Sequence, residues 1–126
     1  MSGYKILIVG LGGFFGSAAR YAIVKLVDGK LNGLLPFGTL TVNIVGSFLL
    51  GVIYMLAIRK AGLSEEGRLF LGVGFCGGFT TFSAFALENF TLLEQKIWGM
   101  SLLYITISIV ASILALAAGV WASRFL

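Results

Sequence analysis

Histidine is missing from this chain, cysteine and proline occur once each, and charged residues make up only 11% of its 126 positions. Each shortage closes off a class of function. Without histidine there is no imidazole for acid–base catalysis. A lone Cys76 can form neither an internal disulfide nor a zinc site, and reads as a small packing residue. The formal charge of +4 is spread along the chain and reads as an ordinary solvated rim, with no nucleic-acid partner. The links between apolar runs are too short for a folded extramembrane domain, and no low-complexity tract or internal repeat is visible.

What remains is apolar. Hydrophobic residues form 59% of the chain and the mean hydropathy is +1.04, outside the range of a soluble domain. Charged ends bound four runs, Tyr4 to Val27, Phe37 to Ile58, Leu69 to Leu93 and Ile97 to Ser123. Each has the ~20 residues that a helix needs to cross a bilayer. Arg20 and the apolar stretch after it argue against cleavage of the first run as a secretory signal. The sequence therefore predicts an all-α membrane protein of four transmembrane helices, with residues 1–126 as one membrane domain.

Four spans put both termini and the second link on one side of the membrane. That side holds Lys5, Arg59, Lys60, Arg68 and Arg124, against Arg20, Lys25, Lys30 and Lys96 on the other. Orientation follows the excess of Lys and Arg on one face, so this near balance predicts insertion in both directions. Four short spans also leave little room for a path within one chain. A transport path is expected between chains, in a homodimer that can be antiparallel.

The third run contains Gly77-Gly78-Phe79-Thr80-Thr81-Phe82-Ser83-Ala84-Phe85. Paired glycines weaken a helix by roughly 1 kcal/mol each, and the three hydroxyls suit a break in which backbone groups need new partners. In hydrocarbon such a break survives only when buried in protein or facing a polar path. Elsewhere, Thr39, Asn43 and Ser47 share one face of the second span, and Tyr104, Ser108 and Ser112 form a hydroxyl stripe on the fourth. Either stripe serves as helix glue or as a lining; Ser47, Ser101 and Thr106 read as glue. The deep polar groups are amides, hydroxyls and ring edges. Phe82 and Phe85, three residues apart, can turn positive ring edges toward a small anion. With 11 phenylalanines in the chain, packing is the competing reading.

Three segments carry a resemblance: residues 74–85, residues 38–46 (Gly38-Thr39-Leu40-Thr41-Val42-Asn43-Ile44-Val45-Gly46) and residues 12–21. In order and on successive spans, they resemble the Fluc (CrcB) family of fluoride channels. The resemblance implies a dual-topology antiparallel homodimer in the cytoplasmic membrane, exporting fluoride passively through two pores. It assigns Phe82 and Phe85 to the pore, with Asn43 and Ser83 beside them and Tyr104, Ser108 and Ser112 as the hydroxyl track. It implies a structural Na⁺ at the dimer centre on the backbone carbonyls of Gly77 and Thr80. Arg20 would lie near a helix end at a vestibule or snorkel to the interface. Glu88 would act as a gate or helix-end partner. Ala84 and Leu116 depart from positions where the family often has polar residues.

Two other readings bear on function. Gly10 to Gly16 superficially resembles a dinucleotide-binding loop, but no βαβ pattern surrounds it. A small proton-coupled multidrug exporter has a similar size and charge balance, but needs an acid in its first span. None lies between Tyr4 and Val27, so Glu88 would have to serve. A non-conducting adaptor would leave the break and the hydroxyl stripe unused.

Overall fold

A computed structural model describes residues 2–59 and 62–126. Lys60, counted above in the charge balance, lies outside the described residues. The described residues form helices joined by short links, with no strand. Helix α1 covers Gly3–Lys30 and α2 covers Phe37–Ile58. The third span is composite: a short α3 (Glu65–Arg68), a π-helical stretch (Leu69–Cys76), one turn of α4 (Gly77–Phe79) and, after a break, α5 (Phe82–Glu94). Helix α6 (Trp98–Ala122) ends in a 3₁₀ turn, Ser123–Phe125. The composite third span and the other three helices are each long and apolar enough to cross a membrane. The helices outrun the apolar runs at several ends because charged residues such as Lys30, Glu65 and Arg68 can continue a helix beyond hydrocarbon.

Capping fits the boundaries. Asp28 reaches back from α1, and its Oδ1 accepts the Gly38 N–H at 2.9 Å in the first turn of α2. Ser64 Oγ accepts the Gly67 N–H at the start of α3. Between α5 and α6, Lys96 adopts φ 62°. Its N–H reaches the Leu93 carbonyl and the Ile97 N–H reaches Leu92, which is a Schellman turn closed by a residue other than glycine.

Two helix pairs approach through glycine. A Cβ on Gly12 or Gly16 would overlap the carbonyl oxygen of Phe70 or Phe75, so α1 lies backbone to backbone on the π-helical stretch. A Cβ on Gly51 or Gly119 would likewise overlap the Leu116 or Phe48 carbonyl, joining α2 to α6. Small residues are the usual means of such contact in membranes, where apolar burial gives no drive between helices. The interior of the chain is filled by Val42 and Tyr104, with Thr39 and Ser101 beside them, all essentially inaccessible. Where α5 meets α6 the seam is polar.

Candidate ion pathway

The break in the third span is two residues long. Thr80 and Thr81 are extended (φ −90°, ψ 162° and φ −152°, ψ 122°), so α5 restarts out of line with α4. Several of the backbone groups released by this step find partners. Thr80 sends both its N–H (3.0 Å) and its hydroxyl (2.9 Å) to the Cys76 carbonyl. Thr81 donates its N–H to Asn43 Oδ1 at 2.8 Å, while Asn43 Nδ2 donates to the Thr81 carbonyl at 3.1 Å. Thr81 Oγ1 caps α5 by accepting the Ala84 N–H at 3.1 Å, and it lies 3.3 Å from Ser83 Oγ. Gly46 makes room for this step, since a Cβ there would overlap the Thr80 methyl.

These bonds have a further effect on two carbonyls. In a continuous helix the N–H groups of Thr81 and Ala84 would bond the carbonyls of Gly77 and Thr80. Here those donors go to Asn43 and to the Thr81 hydroxyl. Gly77 is exposed, and both residues line the groove described next.

An open groove of about 480 Å³ runs along α2, the break and α6. Its polar lining comes from Asn43, Thr80, Thr81, Ser108 and Ser112, joined by Ser47, which the sequence reads as helix glue, and its aromatic lining from Phe82 and Phe85. The two rings are 5.5 Å apart between centroids, and Phe82 is 78% exposed. Ser108 is only 7% exposed, and among the described residues its Oγ has no hydrogen-bond partner. A buried hydroxyl without a partner is costly, so this one is free to donate to a guest in the groove.

Tyr104 departs from the stripe. It is fully buried and does not line the groove; its ring packs 5.1 Å from Phe85 and its OH donates to Glu88 Oε1 at 2.8 Å. Thr39 donates to Glu88 Oε2 at 2.7 Å. Glu88 thus ties α2, α5 and α6 together and lines a second depression of about 410 Å³ with Asp28, Thr91 and Gln95. Arg20 also differs from expectation. It sits well inside α1 rather than near its end, and Nε donates to the Gly78 carbonyl at 2.9 Å, beside the break. An arginine inside a span needs such an acceptor, and a carbonyl just before a helix break is available. Ser83 is exposed on the first turn of α5.

Sequence reasoning missed Asn89. It is buried on α5, where its Oδ1 accepts the Ser101 hydroxyl at 2.9 Å and its Nδ2 donates to the Phe85 carbonyl at 2.9 Å. The available signal was an amide directly after Glu88 in an otherwise apolar run.

Residues 7–120 match the family model described as CrcB-like protein, Camphor Resistance (CrcB). The chain belongs to the CrcB family. The curated CrcB relatives include a protein of Chlorobium chlorochromatii, 44% identical over 121 residues, covering 96% of this chain and 93% of the relative. A protein of Agrobacterium fabrum is 47% identical over 121 residues, covering 95% and 96%. A third, from Chelativorans, is 41% identical over 121 residues, covering 96% and 97%. All three carry the name fluoride-specific ion channel FluC. Membership of CrcB and the four apolar helices together make this a multi-pass membrane protein.

Proposed function

We propose that this chain is a passive, fluoride-selective ion channel that exports fluoride across the cytoplasmic membrane and so limits fluoride toxicity. The observation that carries the reading is the groove, lined by Phe82, Phe85 and Ser108, the last with a buried hydroxyl that has no partner among the described residues. Hydroxyl donors and ring edges suit a small, strongly hydrated anion that must exchange water for protein dipoles. The names of the relatives point to the same ion. Nothing in this reading calls for an enzyme.

Assembly as a homodimer is supported by what the single chain leaves uncovered. Gly77, Phe82 and Ser83 are exposed at the break, and irregular backbone is not tolerated against lipid. A second copy laid over this face would bury the break and enclose the groove, giving one pathway per chain. Balanced basic residues support opposite insertion of the two copies, with lipid around the outer faces.

The Gly77 and Thr80 carbonyls, whose helical donors are diverted, fit a hard cation such as Na⁺ at the dimer centre. When bound, the ion would offset the negative ends of these dipoles and ease the approach of anions. Arg20, held on the Gly78 carbonyl, adds a fixed positive charge to the same region. Glu88 is the gate residue of this scheme: an ion leaving past Phe85 meets the bridge from Tyr104 to Thr39. A proton-coupled exporter is disfavoured because both oxygens of Glu88 are already engaged by hydroxyl donors.

The test is fluoride efflux from liposomes holding the purified protein, read with an electrode beside chloride and with the proton gradient collapsed. Rapid fluoride release, little chloride release and indifference to the proton gradient are expected. Absence of fluoride release from folded protein would reject the reading.

A further inference from the structure

Helix α5 carries both groove phenylalanines, yet it follows a break and cannot inherit its orientation from α4. Only Asn89 and Leu92 are buried along it. Its setting against α6 rests on a seam that uses an amide where a leucine would pack. Burying an amide is costly unless it is bonded, and Asn89 is bonded at both ends. One end takes the Ser101 hydroxyl of α6, and the other holds the Phe85 carbonyl one turn back on α5.

Ser101 behaves differently from the threonines of these helices. Thr91 of α5 and Thr106 of α6 each turn their hydroxyl onto the carbonyl four residues back, a bond that carries no information between helices. Ser101, 1% exposed, instead reaches across to Asn89. On the same face of α6, Tyr104 is three residues further on, with its ring against Phe85 and its OH on Glu88. Ser108, one turn beyond, lines the groove. Phe85 is therefore held from two directions, by the Tyr104 ring at its side chain and by the Ser101–Asn89 relay at its carbonyl.

We propose that Asn89 and Ser101 form a positioning pair that fixes the rotation of α5, and with it the angle at which Phe85 presents its ring edge to the groove. The pair touches no ion. An apolar seam would bury α5 as well but would leave its rotation undetermined, because apolar contacts are not directional. The Ser101–Asn89 bond, its amide anchored on the Phe85 carbonyl of the same helix, adds a directional contact across the seam to that of Tyr104 with Glu88. The proposal rests on the fluoride-channel reading, since it assigns the pair's effect to ion discrimination.

The experiment compares wild type, Ser101→Ala, Ser101→Thr and Asn89→Leu in liposomes, measuring fluoride and chloride efflux normalised to folded protein. Ser101→Ala removes one oxygen and leaves the seam packed, so it keeps the test open if Asn89→Leu does not fold. Loss of a buried hydrogen bond predicts a fall of about tenfold in fluoride flux for Ser101→Ala. The fluoride-to-chloride ratio should fall with it, and Ser101→Thr, which keeps the hydroxyl, should restore both. Wild-type flux and ratio in Ser101→Ala would overturn the proposal, as would losses of the two ions in equal proportion. A wild-type protein that passes no fluoride would overturn the channel reading itself, and the pair's role with it.

Discussion

Asn43 grips Thr81 by both of its backbone groups, accepting the N–H at 2.8 Å and donating to the carbonyl at 3.1 Å. The two residues are 38 positions apart, and the bond to the Thr81 N–H replaces the helical one that the break removes. Asn43→Ala should therefore act on the fold before it acts on the ion. The Thr81 N–H would be left unpaired, at about 1–3 kcal/mol, and its carbonyl, the first acceptor of α5, would lose a second donor. The expected outcome is a clear drop in the thermal unfolding midpoint in detergent, with flux per surviving folded protein reduced as well. A variant as stable as wild type would show that the clamp is dispensable.

Phe82→Ile and Phe85→Ile test the ring edges. Isoleucine fills space without a positive edge, so fluoride efflux should fall by at least about tenfold in each if the edge supplies one good interaction. Size-exclusion profiles should stay unchanged. Undiminished flux in both would remove the rings from the pathway.

Glycine contacts give a paired test of packing. At Gly51 any side chain would meet the Leu116 carbonyl, which is backbone and cannot rotate away. Gly51→Leu should cost at least the about 1–3 kcal/mol typical of overpacking and lower the yield of folded protein. At Gly99 an added Cβ meets nothing within 4 Å. Gly99→Ala should be neutral or slightly stabilising, because alanine is the better helix former.

Removing Na⁺ tests the carbonyl site at Gly77 and Thr80. Exchange into a buffer whose only cation is a large organic ammonium should weaken dimer association and slow fluoride efflux, with recovery on adding Na⁺ back. Equal dimer fraction and equal flux in the two buffers after prolonged exchange would refute the site.

The four spans and the break were legible because each depends on local composition: apolar length for the spans, paired glycines and hydroxyls for the break. Helical spacing made Phe82 with Phe85, and Ser108 with Ser112, legible as pairs; only the resemblance joined the two pairs, and the structure brings all four to one groove. Partners across the fold were not. The same spacing that aligns Tyr104 with Ser108 cannot say that Tyr104 turns inward to Glu88. Nor can it say that Arg20 reaches a carbonyl 58 residues away. The π-helical winding of Leu69–Cys76 leaves no mark in an apolar period, since nearly every residue there is apolar or glycine. Asn89 was passed over because a single amide in an apolar run has no pattern of its own.

That winding bears on how the chain tolerates changes in length. A π turn closes on the fifth residue rather than the fourth, so Leu69–Cys76 holds spare chain within its two turns. Loss of one residue there can be absorbed by rewinding to α, with Arg68 and Gly77 kept near their places. Helix α2 has no such reserve. A deletion between Thr39 and Asn43 turns one against the other by about 100°, and Thr39 on Glu88 and Asn43 on Thr81 can no longer both form. Insertions and deletions carried by related chains should therefore gather in the first half of the third span and spare the second.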